Sequence, residues 1–194
     1  MGNYCKRQPG GGVELASQPQ LTESNPMNMP SAFVLFVTLF LTGVAQAQSA
    51  PPNPRIDIDG YLRVAQEAAK HRAERRVSEL EFKRMSSEPG TLVLDARSTS
   101  KFAELHINGA INLSFPDIAI DSLARLIPDK KTRILIYCNN NFSNAESAFP
   151  SKLPSASLNL STYIALYNYG YRNVYELAPL IDIKKTKLQL VSGK

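Results

Sequence analysis

Residues 134–138 (Ile134, Leu135, Ile136, Tyr137 and Cys138) form a short apolar run that stops at a cysteine and turns at once into Asn139, Asn140 and Asn141. The run is too short for a buried helix and lacks a 3.6-residue period, so it predicts a buried strand that delivers a thiol to a tight loop. Asparagine tolerates left-handed backbone and bonds to neighbouring backbone groups. Asn139, Asn140, Asn141, Phe142, Ser143 and Asn144 are therefore expected to fold into a cup of inward-pointing N–H groups. Residues 145–149 predict a short helix, with Ser143 or Asn144 as its N-cap and Glu146 placed for a capping box. A sulfur held over such donors and a helix N-terminus is stabilised as the thiolate. The alternative is an inert thiol packed in the core; Cys138 ends the apolar run instead of sitting within it, which favours the reactive reading.

The rest of the chain alternates strand and helix patterns. Asp57 or Asp59 can cap a helix to about Arg72, with Ile58, Leu62, Ala65 and Ala69 on one side. Ser78 and Glu81 form an S-x-x-E capping box, with Val77 and Phe82 as a hydrophobic staple, for a helix ending near Ser87. Residues 91–95 read as a strand that ends in Asp95, with Arg97 close behind. Phe102 to Ile107 reads as a short helix and turn, 109–113 as a strand, and 121–127 as a helix stopped by Pro128. Ser161 or Thr162 is expected to cap a helix closed by Gly170, with its tyrosines packed in the core. Arg172 to Leu177 is the last strand, and Leu188 to Leu190 can add an edge strand. This alternation predicts an α/β sheet with parallel strands, whose ligand sites lie at the strand carboxyl ends, where Cys138 stands.

The 194 residues suit a single domain with extensions. Residues 1–31 read as an extension, with Met27 or Met29 as an alternative start. Residues 32–47 read as a secretory signal cut after Ala47, because the apolar run there falls short of the roughly 20 residues that span a bilayer. A transmembrane anchor is the second choice, and no stable span is expected in the mature chain. Residues 48–56 form a Pro-rich linker, 57–183 the domain and 184–194 a tail. Cleavage removes Cys5 and leaves Cys138 unpaired in an exported protein, periplasmic or secreted, where an idle thiol is a liability. The net charge of +5 is spread thinly, without the dense basic stripe that nucleic acid requires. The patch from His71 to Arg76 reads as a solvated helix end. One cysteine and two separated histidines give no metal-ligand pattern, and no cofactor is expected.

Taken together and in order, Leu94 to Arg97, Phe102 through His106, Ile107 and Gly109 to Asn112, Tyr137 with Cys138, and Gly170 to Leu177 resemble a rhodanese-type sulfurtransferase domain across residues 75–182. The resemblance implies a five-stranded, mostly parallel sheet with helices on both faces. It also implies that Cys138 carries sulfane sulfur as a persulfide between a donor and a nucleophilic acceptor, with the amides of Asn139 to Asn144 holding the anion. Asp95, Arg97 and His106 are assigned to loop and strand support. The implied partners are a small sulfur-containing anion or a persulfide donor, and a thiol or cyanide-like acceptor that can belong to a protein. The chain departs from the family at Ser143, where a basic residue is frequent, which points to a donor other than thiosulfate. It departs also at Asn141, where many members have glycine, at Ala178 and Pro179 in place of paired glycines, and in the long segment 149–160, read as a rim or lid. The rival reading is a non-enzymatic binding module built on the same fold.

Overall fold

The structure is a computed structural model and describes residues 51–193. The extension at 1–31 and the apolar signal run at 32–47 lie outside the described residues. Five helices are described: α1 (Ile58–Ala73), α2 (Glu79–Ser86), α3 (Thr99–Glu104), α4 (Ile120–Leu126) and α5 (Leu158–Asn168). The strands are β1 (Arg76–Val77), β2 (Thr91–Asp95), β3 (His106–Ile107), β4 (Ile111–Asn112), β5 (Arg133–Tyr137), β6 (Phe142–Ser143), β7 (Val174–Leu177), β8 (Ile181–Asp182) and β9 (Leu190–Val191). A five-stranded sheet runs in the order β1-β7-β5-β2-β4, and every neighbouring pair is parallel. The expected mostly parallel sheet is thus wholly parallel.

The central strand, β5, shows why the fold buries both faces. Ile134 and Ile136 point into one cluster with Ala68, Leu123, Tyr163, Leu166 and Val174. Leu135 and Tyr137 point into the other with Phe82, Met85, Val93 and Phe149. Period-two alternation between two cores leaves no polar face, which is why the run reads as continuously apolar. Each such Ile or Leu contributes about 1.5–3 kcal/mol by leaving water.

Local chemistry sets several of the boundaries. The Asp57 side chain accepts from Gly60 N at 2.8 Å and starts α1, and Ser78 Oγ accepts from Glu81 N at 3.2 Å to start α2. The face of α1 differs from expectation. Ile58 and Leu62 are exposed at 63% and 52%, and the buried side is carried by Ala68 with Val64, Ala65, His71 and Arg72 partly covered. The small Ala68 lets the helix lie close on α5, so the packed stripe is rotated from the one that the larger apolar residues suggest.

Two further expectations change. α3 begins at Thr99, and His106 with Ile107 leaves the helix to pair antiparallel with β9. The edge strand expected near Leu188 to Leu190 is β9 itself, and Leu188 beside it is buried. Residues 145–149 form one turn, closed by Phe149 N donating to Ala145 O at 2.8 Å, not a helix. Nucleating a helix costs more than one hydrogen bond returns, and Pro150 pushes Phe149 out of helical backbone.

Candidate active site

Strand β5 ends where the sheet's carboxyl edge opens, and Cys138 follows in extended backbone, φ −148°. Asn139 to Asn141 form one tight 3-10 turn, which brings Asn140 N to donate toward Cys138 Sγ at 3.4 Å. The cup expected from residues 139–144 closes no further. Asn141 turns its side chain the other way, accepting from Cys138 N at 2.9 Å and donating to the carbonyls of Leu177 at 2.7 Å and Pro179 at 3.2 Å. It fastens the loop to the end of β7. Asn139 is buried, and its Oδ1 has no partner.

Phe142 accounts for the loop's early exit. Its ring is buried edge-on to Tyr137 and 4.6 Å from Phe149. Burying an aromatic ring outweighs the gain from one more N–H on the sulfur, so the chain extends there into β6, parallel to β8. Ser143 Oγ donates to Ile181 O at 3.4 Å, and the Asn144 side chain bonds to Asp182 and holds that carboxyl below its usual range. Asn144 itself takes φ 61°, a conformation that asparagine accepts at low cost. Phe142, Ser143 and Asn144 thus serve the packing beside the loop.

A residue outside the loop completes the sulfur's surroundings. Ser157, the N-cap of α5, places Oγ 3.3 Å from Cys138 Sγ and makes no side-chain cap bond of its own. The thiol therefore faces a helix N-terminus, where the aligned peptide dipoles favour negative charge. That helix is α5, not the expected one at 145–149. Residues 150–156 bridge to it as an exposed strap, pinned to the loop by Asn140, whose Nδ2 donates to Lys152 O at 2.8 Å and whose Oδ1 accepts from Lys152 N at 3.2 Å. Cys138 is 1% exposed, and its sulfur has two hydrogen-bonding partners, Asn140 N and Ser157 Oγ.

Asn140 and Ser157 also line a cleft of about 260 Å³, together with Arg72, Asn141, Asn159 and Glu176 among others; Cys138 itself does not line it. Glu176, on β7, is 4% exposed and accepts from both Arg72 Nε and Arg72 Nη2. A buried carboxylate without this partner would cost several kcal/mol, at roughly 3–5. Asn159 Oδ1 is buried and unpartnered, a deficit of about 1–3 kcal/mol. Ser157 and Asn159 sit in a segment that reads as surface insertion, and Arg72 in a patch that reads as solvated. One signal was present: Glu176 inside an apolar strand demands a cationic partner. A larger hollow of about 360 Å³, with Glu88, Thr91, Arg133 and Asn173, sits at the opposite end of the sheet. Its lining includes no cysteine, and parallel α/β sheets bind ligands at the carboxyl ends.

Asp95, Arg97 and His106 lie in the network beneath the loop. Arg97 Nη2 donates to Asp95 Oδ2 at 2.6 Å and to Leu105 O at 2.7 Å, and Nη1 donates to Ala148 O at 2.7 Å. Tyr137 OH donates to Asp95 Oδ2 at 2.5 Å, and burial, with the Asp95 charge, pushes this phenol far above its ordinary range. His106 stacks on Phe102 and bonds to its carbonyl. None of the three is hydrogen-bonded to the thiol. Among the described residues, no group of three His, Cys, Asp or Glu side chains is placed to hold a metal, and no helix is long and apolar enough to cross a membrane.

The rhodanese-like domain family matches residues 78–178, a little over half of the chain. A rhodanese with anions from E. coli is 23% identical with a TM-score of 0.36, the match covering 53% of this chain and 99% of that one. The rhodanese-like domain of the Alr3790 protein from Anabaena sp is 19% identical at TM-score 0.42, over 61% of this chain and 79% of that one. A thiosulfate sulfurtransferase from Pseudomonas aeruginosa is 19% identical at TM-score 0.45, over 69% of this chain and 24% of that one. No curated protein matches.

Proposed function

The chain belongs to the rhodanese-like domain family, and from that premise we propose that it is a sulfurtransferase whose Cys138 carries sulfane sulfur as a persulfide. The observation that carries this reading is the polar setting of one sulfur at the carboxyl end of the central strand, with Asn140 N at 3.4 Å and Ser157 Oγ at 3.3 Å. Both groups stabilise an anion on sulfur without a cationic side chain. In the first half-reaction the Cys138 thiolate attacks the outer sulfur of a donor persulfide, R–S–SH. A new S–S bond forms, the donor's S–S bond breaks, and R–S⁻ departs. In the second, an acceptor thiolate or cyanide attacks the outer sulfur of Cys138–S–SH, and the Cys138 thiolate leaves.

The donor is a persulfide and not thiosulfate. Ser143 is turned to β8, and the cation on the cleft, Arg72, is committed to Glu176. Sulfur reaches Cys138 when the strap at 150–156 lifts away from Asn140. The same reading takes the chain as exported, with the run at 32–47 as its signal. Cyanolysis is the test. After incubation with polysulfide, the protein should release thiocyanate on addition of cyanide and Cys138→Ser should release none; equal release from both would overturn the assignment.

A further inference from the structure

The outward face of α1 repeats at a coiled-coil spacing. Ile58, Leu62, Ala65 and Ala69 stand four, three and four residues apart, the alternation that sets apolar side chains in one seam along a helix. The helix turns this seam away from its own core. Ala68 is the buried residue of α1, while Ile58 and Leu62 keep 63% and 52% of their surface in water. Ala65 is half-buried and Ala69 exposed. Solitary exposed apolar side chains are common, but here two large ones a turn apart run on into two small ones as a continuous strip.

Size and charge along the strip select what covers it. From its N-terminal end the seam runs large, large, small, small. An antiparallel copy of the same helix therefore sets Ile58 on Ala69 of the second copy and Leu62 on its Ala65, so that every layer joins a branched side chain to a methyl group. A parallel copy would crowd one end and leave the other hollow. Asp59 and Lys70 lie on one flank of the seam, toward its two ends. Antiparallel pairing brings that flank against itself, and Asp59 of one copy falls between Gln66 and Lys70 of the other, about 3 Å along the axis from each. Among the described residues, neither Asp59 nor Lys70 makes an ion pair within its own chain.

We infer that α1 pairs with α1 of a second copy, antiparallel about a two-fold axis, and that the chain is a weak homodimer. The seam from Ile58 to Ala69 is roughly 18 Å long, which makes the contact smaller than a standard stable interface. The dimer is accordingly a reversible one, with a dissociation constant of roughly 10–300 μM.

Sedimentation velocity of the full chain in reductant, across roughly 5–500 μM, tests this. The parent should pass from monomer to dimer over that range. Leu62→Glu, at an exposed position, should keep the parent's melting temperature and raise the dissociation constant by about a hundredfold, because each dimer feels the change twice. A charge cycle reads the direction of pairing. Lys70→Glu should weaken the dimer by about tenfold, and Asp59→Lys added to it should restore most of the loss. The two positions lie roughly 16 Å apart along one helix, so coupling between them arises only between copies. A parent that stays monomeric throughout overturns the proposal. So does a dimer that Leu62→Glu leaves intact, which would place the association elsewhere in the chain. Charge variants that simply add, without rescue, overturn the antiparallel register. A monomeric parent that co-sediments with phosphatidylcholine vesicles, where Leu62→Glu does not, would give the face to a lipid surface instead.

Discussion

Arg97 is 1% exposed and holds three separate pieces of chain: the Asp95 carboxylate at the end of β2, the Leu105 carbonyl after α3, and the Ala148 carbonyl before the strap. Arg97→Met would strand a buried carboxylate and two carbonyls, and urea denaturation at neutral pH should show a loss of about 3–5 kcal/mol. Arg97→Lys should recover only part of it, because an ammonium cannot form the fork. A loss under about 1 kcal/mol for Arg97→Met would contradict the account. His71 provides a pH signature. Burial, then the charges of Arg75 and Arg172, hold it below its ordinary 6.5 while Nδ1 meets Tyr163 OH at 2.8 Å. With the folded value depressed, the unfolded chain binds the proton first, so stability is complete above 6.5 and falls as pH drops through that window toward the folded value. Melting temperatures at pH 7.5 and 5.5 should therefore differ more in the parent than in His71→Gln; equal differences would show that His71 plays no part. Cys138 was legible as a residue because an apolar run halted at it. Ser157, Asn159 and Arg72 were not, because nothing local marks a side chain whose partner lies far along the chain.

At the scale of elements, the strap and α5 meet at the loop that follows Cys138. Ser157 caps α5 by backbone position while its hydroxyl serves the thiol, so the helix start carries no capping-box signature. The sequence therefore pointed to Ser161 or Thr162, which instead lie inside the helix. The short helix expected after the loop failed for the converse reason, since its capping pattern was present but its length and Pro150 could not sustain it. The strap's described tie to the loop is the Asn140–Lys152 pair of hydrogen bonds. Asn140→Ala should raise the rate of Cys138 alkylation by a small neutral reagent by about tenfold, with the melting temperature little changed. An unchanged rate would show that the sulfur is reached by another route.

The whole molecule places this chemistry by topology. The strand order β1-β7-β5-β2-β4 puts β5 in the middle, and the parallel pairing sends the loop ends of β2, β5 and β7 to one edge. That arrangement was legible, because alternating strand and helix patterns with continuously apolar strands admit few other folds. What was not legible came from long-range packing: the Phe142 ring that draws the loop into β6, and the ion pair between α1 and β7 that borders the cleft. The central claim is that this edge arms a single sulfur to carry another. Intact-mass spectrometry of the protein after polysulfide treatment and desalting tests it most directly. The account predicts a gain of one sulfur atom, localised to the Cys138 peptide and removed by cyanide. An unaltered mass, or a gain that persists after cyanide, would contradict it.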